Sequence, residues 1–313
     1  MLSVMEVKKR LPRDFIEELY SLHSPLVADK ILAGMAGKRN TTLRVNTLKY
    51  NIQDLMRYFR KINIKFERVN FLNDALVIKN ATEKDIQKLD IYEKGYIYLQ
   101  SLSSMIPPLV LDAKENEQIL DMASAPGSKT TQISAMMNNT GHIIANELDK
   151  IRCERLKFNL NNLGATNVEV INGYGEKLGE KYPENFDRVL LDTPCSGEGR
   201  FIAEIAGTYR NWSMKTVKEL SKIQRKLIKS GYNALKPGGI MVYSTCTLNL
   251  EENEHILKWA LENLSLKMLD IDLNIKNAIP GDKLGTSLGL EKAIKILPNK
   301  ETEGFFVAKL RKI

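Results

Sequence analysis

In the last two thirds of the chain, short apolar runs alternate with longer segments in which apolar residues recur every three to four positions. Short apolar runs bounded by turn residues predict buried strands, and the recurring pattern predicts amphipathic helices. This alternation is typical of an α/β protein, so we predict a Rossmann-like, doubly wound parallel sheet within residues 101–313. The predicted strands are QILDMA (118–123), HIIANE (142–147), VEVIN (168–172), RVLLDT (188–193), GIMVYST (239–245), SLKMLDI (265–271) and GFFVAKL (304–310). The predicted helices span 128–138, 149–163, about 214–234 and 250–263, and residues 273–300, with Pro280 and Pro298, are predicted to be irregular.

The first 100 residues have a different pattern, with shorter elements in another order. Helices are predicted over residues 12–36. They are followed by a strand (41–48), a helix (51–62), two strands (66–71 and 75–80) separated by an Asn73-Asp74 turn, a helix (82–89) and a strand (95–100). The order strand, helix, strand, strand, helix, strand is that of a ferredoxin-like α+β unit. We therefore expect two domains, residues 1–100 and residues 101–313.

Charge is distributed unevenly between these two parts. The chain has 46 Lys and Arg against 38 Asp and Glu, a formal net charge of +8, and residues 1–100 hold 18 basic against 12 acidic side chains. A basic surface favours a polyanion such as a nucleic acid as partner, because Lys and Arg neutralise phosphates. A solvated, mildly basic surface has the same composition, so charge alone does not decide.

Several classes of protein are not expected from the sequence. There is no run of about 18 apolar residues of the kind that spans a membrane, and the N-terminal segment has no apolar core typical of a secretory signal. The three cysteines, Cys153, Cys195 and Cys246, are too few for a disulfide framework, which favours the reducing cytoplasm. No spacing of Cys or His typical of a metal site occurs, so no metal is expected.

The first predicted strand of the sheet ends in a segment of small residues, DMASAPGSKT (121–130). Gly127 and its small neighbours allow a ligand to approach the backbone at a helix N-terminus. The segment lacks the first glycine of a P-loop and contains no G-x-G-x-x-G dinucleotide fingerprint. The next strand ends in Glu147, 20 positions after Gly127, where a carboxylate can accept hydrogen bonds from ribose hydroxyls. These features predict a pocket for an adenosyl ligand without a phosphate grip.

Two cysteines follow at equivalent places. Cys195 comes after the fourth strand in LLDTPCSGEG (190–199), and Cys246 ends the fifth strand in YSTCTLNLEENE (243–254). Cys153 lies inside a predicted helix and is interpreted as a packed residue. Because carboxyl ends of parallel strands share one edge of the sheet, both thiols and Asp192 are expected in one cleft.

Two thiols beside an adenosyl ligand suit one kind of reaction. A thiolate that adds to carbon 6 of a pyrimidine makes carbon 5 nucleophilic enough to attack an electrophilic methyl group. The proton on carbon 5 must then be removed before the thiol can leave, and an acidic group must hold the base. Cys195, Cys246 and Asp192 fit these roles, but the sequence does not decide which thiol attacks.

Five segments point to a known family. DMASAPGSKT (121–130), LLDTPCSGEG (190–199) and YSTCTLNLEENE (243–254) resemble the Nop/Sun/Fmu family of S-adenosylmethionine-dependent RNA cytosine-5 methyltransferases. LRVNTLK (43–49) and KGYIYLQSLSSMIPPLVL (94–111) are also similar, so the resemblance covers almost the whole chain. It implies a methyltransferase fold, S-adenosylmethionine as cofactor, RNA as partner, and an RRM-like RNA-binding unit at the front.

The resemblance also implies roles for individual residues. Cys246 would be the nucleophile, Cys195 would assist proton removal or product release, and Asp192 with Lys129 would hold the cytosine. The residues implied to bind the cofactor are Ala123, Ser124, Ala125, Pro126, Gly127, Ser128, Lys129, Glu147, Arg152 and Asp192. Tyr174 stands where an Asp that holds the adenine amino group is usual, which leaves packing by its ring or backbone contacts as alternatives.

Some alternatives stay open at this point. The substrate RNA is ribosomal RNA or tRNA, with features of the motifs favouring ribosomal RNA, and a monomer is expected. A DNA cytosine methyltransferase and an inactive RNA-binding assembly factor are the competing hypotheses.

A basic stripe in the helix predicted over 214–234 also bears on RNA. Its lysines recur at steps of three and four residues, with Arg225 alongside, and they are Lys215, Lys218, Lys222, Lys226 and Lys229. Such a stripe is typical of a solvated helix face, but it also suits a surface that follows phosphates. Tyr209 and Trp212, just before the helix, either stack on bases or pack in the core.

Overall fold

Two β-sheets organise the chain in the computed structural model, which describes residues 2–313. The helices are α1 (Val4–Arg10), α2 (Arg13–Leu22), α3 (Pro25–Gly34), α4 (Ile52–Lys61), α5 (Glu83–Gln87), α6 (Asp90–Glu93), α7 (Ile106–Leu111), α8 (Ser128–Met136), α9 (Lys150–Leu163), α10 (Leu178–Lys181), α11 (Met214–Ala234) and α12 (Glu254–Asn263). The strands are β1 (Thr41–Val45), β2 (Phe66–Val69), β3 (Leu72–Ile78), β4 (Ile97–Leu99), β5 (Gln118–Asp121), β6 (His142–Glu147), β7 (Val168–Asn172), β8 (Phe186–Asp192), β9 (Leu235–Thr245), β10 (Leu266–Leu269), β11 (Ala278–Pro280), β12 (Ile294–Ile296) and β13 (Phe305–Lys312). No helix within residues 2–313 combines the length and the apolar character needed to cross a bilayer.

The smaller sheet has the order β2-β3-β1-β4, and all its strand pairs are antiparallel. With α4 and α5 as crossovers, this is the predicted ferredoxin-like arrangement. Helix α4 begins where expected, because the Asn51 side chain accepts a hydrogen bond from the Asp54 amide at its N-terminus. Its apolar face, including Leu55 and Phe59, packs on Leu43 and other buried residues of the sheet.

The predicted turn at Asn73-Asp74 is wrong. Both residues lie inside β3, and the chain reverses at residues 70–71, where Val69 pairs with Leu72. The reason is that Leu72 packs into a small apolar cluster with Leu102 and Met105, which draws the strand start back by three residues. The polar pair at 73–74 is accommodated because side chains alternate between the two faces of a strand.

The larger sheet is the predicted Rossmann-like sheet. Strands β7, β6, β5, β8 and β9 are parallel neighbours in that order, and β13 adds antiparallel to β9. Helices α7 and α8 pack on one face, and α10, α11 and α12 on the other, so the core has three layers.

Two other predictions for this part need correction. Residues 273–300 are not wholly irregular, because β11 and β12 extend the sheet beyond β13. Each has only three residues, too few to give a periodic pattern. The last helix begins at Glu254 instead of residue 250, because the preceding residues turn so that the Glu252 carboxylate reaches Ser196.

The first helices pack against the second half of the chain. Phe15 of α2 and Leu32 of α3 share an apolar cluster with Phe201, Leu248 and Leu297. Helix α1 was not predicted, although its start carries a capping box in which Ser3 and Glu6 exchange hydrogen bonds.

Polar contacts also join the smaller sheet to the larger one. The Arg44 guanidinium is buried and donates to the Gln100 side chain, the Ser128 carbonyl and the Thr131 hydroxyl. Asn46 of the same segment donates to the Leu163 carbonyl at the end of α9. The strand that opens the ferredoxin-like unit is therefore tied to the helix that follows the small-residue segment.

Candidate active site

A cavity of about 240 Å³ opens at the carboxyl ends of β5, β8 and β9. It brings together residues that lie up to 201 positions apart in the sequence, from Ser104 to Phe305. The residues that line it are Ser104, Asp121, Ala123, Ser124, Ala125, Pro126, Ser128, Lys129, Arg152, Asp192, Arg200, Cys246, Glu303 and Phe305. Nine of them belong to the predicted site residues, and the cavity is where the topology predicts a ligand to bind.

The small-residue segment forms one wall of the cavity. Gly127 has a φ of +100°, and a Cβ at this position would lie 2.8 Å from a Leu156 side-chain atom, so glycine is required for the turn into α8. Asp121 lies beneath this turn and accepts a hydrogen bond of 2.7 Å from the Thr130 hydroxyl. Burial raises the pKa of Asp121 to about 6. Its other carboxylate oxygen is buried without a hydrogen-bond partner within residues 2–313.

The Glu147 carboxylate lies at the end of β6, the strand next to β5. One oxygen accepts a hydrogen bond of 3.0 Å from the Asp149 amide, while the other is buried without a hydrogen-bond partner among the described residues. That second oxygen is 3.4 Å from the Arg152 guanidinium, which also donates to the Ala125 carbonyl. A buried oxygen that accepts no hydrogen bond lowers the stability of the fold unless a ligand donates to it. Glu147 is therefore suited to accept hydrogen bonds from a pair of hydroxyl groups.

Lys129 and Asp192 form an ion pair within the cavity. The Lys129 ammonium is 2.6 Å from one Asp192 oxygen and 2.8 Å from the Ser104 hydroxyl. The other Asp192 oxygen accepts a hydrogen bond of 2.7 Å from Ser244 on β9. The ring of Phe305 lies 5.6 Å from the same ammonium. Both charged side chains are therefore held in fixed positions at the floor of the cavity.

The two predicted thiols are neighbours. The sulfur atoms of Cys195 and Cys246 are 3.2 Å apart, and the Cys246 amide donates to the Cys195 sulfur at 3.2 Å. Cys246 lines the cavity, whereas Cys195 is not among the lining residues. The hydrogen bond to Cys246, together with burial, raises the pKa of the Cys195 thiol well above its ordinary value. Arg200 also lines the cavity, and the nearby Cys246 raises the pKa of its guanidinium. The Arg200 guanidinium therefore places a positive charge near the Cys246 sulfur.

Glu252 holds the loop that carries Cys195. It accepts a hydrogen bond of 2.9 Å from the Ser196 amide, another from the Ser196 hydroxyl, and one of 3.0 Å from the Gln224 side chain of α11. Gln224 also donates to the Pro194 carbonyl at 2.9 Å. A residue of the second thiol segment (243–254) thus holds the loop of the first thiol in place.

A second group of carboxylates lies next to this loop. Asn249 donates to both oxygens of Glu18 and to Glu198, at 3.0–3.1 Å, and Trp212 donates to Glu198 at 3.0 Å. Burial, and next the charge of Glu252, raise the pKa of Glu198 to about 7. Burial, and next the charge of Glu198, raise the pKa of Glu18 to about 7 as well. The Trp212 ring packs edge to face against Phe15 and Phe201.

Tyr174 lies apart from the cavity. Its side chain is exposed and its ring is 5.8 Å from the Lys177 ammonium, beside a separate groove behind the ends of β6 and β7. The side chain of the neighbouring Asn172 donates to the carbonyls of Glu147 and Leu148, so it is occupied with local structure. Within residues 2–313 no group of three or more His, Cys, Asp or Glu side chains could hold a metal ion.

Five residues of the cavity were not predicted from the sequence, namely Ser104, Asp121, Arg200, Glu303 and Phe305. Arg200 stands five positions after Cys195 and directly follows the LLDTPCSGEG segment (190–199). It was therefore the easiest of these residues to predict from the sequence. Glu303 and Phe305 come from the far end of the chain, and they reach the cavity because Phe306 pairs with Thr245, the residue before Cys246. That pairing has no signal in the local sequence.

Comparison with known proteins places this site in a family. The model of the family described as 16S rRNA methyltransferase RsmB/F matches residues 108–311. The chain belongs to the RsmB/F family of methyltransferases. The match includes every residue of the cavity except Ser104.

Individual relatives of the RsmB/F family agree with this assignment. The ribosomal RNA small subunit methyltransferase F of Aeromonas salmonicida is 34% identical over 325 residues, which cover 96% of this chain and 64% of that protein. The chain thus spans just under two thirds of the length of that relative.

Two solved structures from Pyrococcus horikoshii have the same fold. A methyltransferase homolog protein has a TM-score of 0.85 and 33% identity, with full coverage of both chains. NSun6, solved with the S-adenosylmethionine analogue SFG, has a TM-score of 0.84 and 25% identity, with 97% of this chain and 99% of that chain covered. The resemblance seen in the sequence motifs and the predicted Rossmann-like fold are both confirmed.

Proposed function

We propose that this chain transfers a methyl group from S-adenosylmethionine to carbon 5 of cytosine in RNA, with small-subunit ribosomal RNA as its substrate. The observation that carries the proposal is that Cys246 lines the same cavity as the small-residue segment, Lys129 and Asp192. A nucleophile, a base-holding pair and a cofactor wall in one cavity are what covalent methylation of a pyrimidine requires. The RsmB/F membership supports the choice of ribosomal RNA over tRNA.

The residues of the cavity, together with Glu147 at the end of β6, fit S-adenosylmethionine. The free oxygen of Glu147 would accept hydrogen bonds from the ribose hydroxyls, and the backbone of residues 123–128 would hold the amino acid portion together with the free oxygen of Asp121. Arg152 keeps the wall in place through its bond to Ala125. When bound, the cofactor supplies an electrophilic methyl group. Tyr174 is not needed for this arrangement, and the adenine would rest on backbone between β6 and β7.

Asp192 and Lys129 would hold the target cytosine. With one oxygen bound to Ser244 and the other to Lys129, the Asp192 carboxylate is fixed while it keeps lone pairs for the exocyclic amino group of the base. The Lys129 ammonium would stabilise negative charge that develops on the ring when a nucleophile adds to it. The cytosine must leave any base stack to enter the cavity.

Cys246 would be the attacking thiolate and Cys195 its partner. The sulfur of Cys246 would bond to carbon 6, and the electron pair of the carbon 5–carbon 6 double bond would move to carbon 5. Carbon 5 would then take the methyl group, with release of the demethylated thioether. The proton on carbon 5 is then removed with assistance from Cys195, the double bond forms again, and the carbon 6–sulfur bond breaks. The 3.2 Å separation of the two sulfur atoms and the position of Cys246 in the cavity support this division of roles.

Residues 1–100 would form the N-terminal helices and an RRM-like RNA-binding unit, and residues 101–313 would form the methyltransferase domain. The protein would act as a monomer. The basic surplus of residues 1–100 supports this. Two thiols at 3.2 Å would oxidise to a disulfide in an oxidising compartment, which supports the reducing cytoplasm as the place of action.

A methyl-transfer assay tests the proposal. The chain is incubated with labelled S-adenosylmethionine and either a 16S ribosomal RNA transcript, a tRNA mixture, or the DNA copy of the transcript, and 5-methylcytosine is measured after digestion. Label in 5-methylcytosine of the ribosomal RNA supports the proposal, and label in the DNA alone contradicts it. Isothermal titration with S-adenosylmethionine is run in parallel. Absence of cofactor binding would favour an RNA-binding assembly factor without activity.

A further inference from the structure

The outer face of α11 carries an isolated set of positive charges. The six exposed cations are Lys215, Lys218, Lys222, Arg225, Lys226 and Lys229, and Glu219 is the one exposed acid among residues 214–234. At 100° per residue all six fall within an arc of about 100°, so they form one stripe along the helix. The stripe is about 21 Å long, which matches the length of about six nucleotides along a helical strand.

None of these six side chains forms an ion pair or a side-chain hydrogen bond with any residue from 2 to 313. Other exposed helices of the same chain behave differently. Arg13 pairs with Glu17 in α2, Lys94 with Asp90 after α6, and other helices hold similar pairs three or four residues apart. A helix face with six cations and one acid cannot neutralise itself, and repulsion between like charges along the face favours a polyanionic partner.

The stripe is connected to the candidate active site through its own helix. Gln224, on the buried face of α11, donates to the Pro194 carbonyl and to Glu252, which hold the loop of Cys195. The N-terminus of α11 begins at Ser213, whose side chain accepts a hydrogen bond from the Thr216 amide. The stripe lies on the opposite, exposed face of α11, so this one helix both carries the stripe and supports the loop of Cys195.

The aromatic residues before the helix do not compete for this role. Trp212 packs with Phe15 and Phe201 and donates to Glu198, and Tyr209 packs against Phe201. Of the two alternatives left by the sequence, packing is the one the contacts favour. Recognition at this surface is therefore by charge along the backbone and not by stacking.

We propose that the exposed face of α11 is a second RNA-binding surface, which holds the phosphate backbone of the substrate RNA outside the ferredoxin-like unit. This inference rests on the proposed function, since it takes RNA as the substrate. It places RNA contacts on the methyltransferase domain itself. A solvated face without a partner, or a face for an anionic membrane, are the outcomes that would contradict it.

The test is a salt titration of RNA binding by the full chain. The variant combines Lys218→Gln, Lys222→Gln and Lys226→Gln. The matched control combines Lys267→Gln, Lys283→Gln and Lys300→Gln, three exposed lysines on other elements. Both variants lower the net charge by the same amount, so a general effect of charge acts on them equally. The probe is a fluorescently labelled single-stranded RNA of about 30 nucleotides, followed by anisotropy at several KCl concentrations.

The α11 variant is expected to bind this RNA at least about tenfold more weakly at moderate salt. The slope of log Kd against log salt should fall by about 2, that is, 0.7 for each of three lost phosphate contacts. The control variant should keep both the affinity and the slope of the parent chain. The affinity for S-adenosylmethionine, measured by calorimetry, and the melting temperature should not change in either variant. The reason is that the three lysines replaced in each variant are exposed.

Two results would overturn the inference. One is an α11 variant whose slope equals that of the parent, and the other is an equal loss in both triple variants. If the α11 variant instead loses binding only to vesicles of anionic lipid, the surface serves a membrane and the inference is wrong. These outcomes differ from a failure of the proposed function, in which the parent chain itself binds or methylates no RNA.

Discussion

Replacement of Glu198 by Gln is expected to stabilise the protein, and the stabilisation should grow as the pH rises. Glu198 is buried, with 2% of its surface exposed, and its pKa is raised from the ordinary 4.5 to about 7. The folded state therefore holds a proton that the unfolded state releases above pH 4.5. Stability contributed by this proton is complete below pH 4.5 and is lost as the pH rises through about 7. A shift from 4.5 to about 7 corresponds to about 3 kcal/mol in the free energy of unfolding.

Glutamine is neutral at every pH, and its oxygen can still accept from Asn249 and Trp212, the donors that Glu198 uses. The Glu198→Gln variant should therefore not lose this stability as the pH rises. The difference in free energy of unfolding between the variant and the parent should increase by about 2 kcal/mol between pH 5 and pH 8. Urea denaturation at pH 5, 6, 7 and 8 measures this difference.

Glu219→Gln on the exposed face of α11 is the control, since it makes the same chemical change without burial. Its effect should be within about 0.5 kcal/mol at each pH. A stability difference between Glu198→Gln and the parent that is the same at pH 5 and pH 8 would show that Glu198 does not titrate with a raised pKa in the folded protein. A variant less stable than the parent at pH 8 would show that the charged carboxylate is the form the fold requires.

Three further changes test other parts of the structure. Glu252→Gln places an amide against the donors of Ser196. Methyl transfer should therefore slow by about tenfold or more, while the Kd for S-adenosylmethionine stays constant. An unchanged kcat would show that the loop of Cys195 does not need the Glu252 carboxylate. Lys295→Met leaves Glu254 buried without its partner at 2.8 Å and should cost about 3–5 kcal/mol in urea denaturation. Adding Glu254→Gln should recover part of that loss, and a single-variant cost below about 1 kcal/mol would contradict the assignment. Glu147→Gln should weaken S-adenosylmethionine binding by about tenfold in calorimetry, because charge-assisted hydrogen bonds to the ribose are lost; equal affinity would exclude Glu147 from the cofactor site.

Elements with a strong local pattern were predictable from sequence. The bounds of β6, β7 and α11 agree with the prediction residue for residue, because each has an unbroken apolar period and a clear stop. The carboxyl ends of β5, β8 and β9 lie within two residues of the predicted ends, and the cavity that contains Asp192 and Cys246 lies there. The rule that parallel strands end at one edge was enough to bring these residues together.

Features that depend on distant contacts were not predictable. The start of β3 is set by packing of Leu72 on Leu102, which overrides the turn preference of Asn73-Asp74. Glu303 joins the cavity through the pairing of β13 with β9, and no local pattern announces that register. The proposed roles of the two thiols likewise rest on the geometry, in which Cys246 lines the cavity and Cys195 does not.

The central claim is that Cys246 attacks the base and Cys195 is needed for release. Cys195→Ala is incubated with S-adenosylmethionine and the 16S ribosomal RNA transcript, and the mixture is run on a denaturing gel. We expect a slowly migrating covalent protein–RNA band that is absent from Cys246→Ala and from the double variant. A covalent band from Cys246→Ala, or 5-methylcytosine formed by that variant at the rate of the parent, would contradict the account.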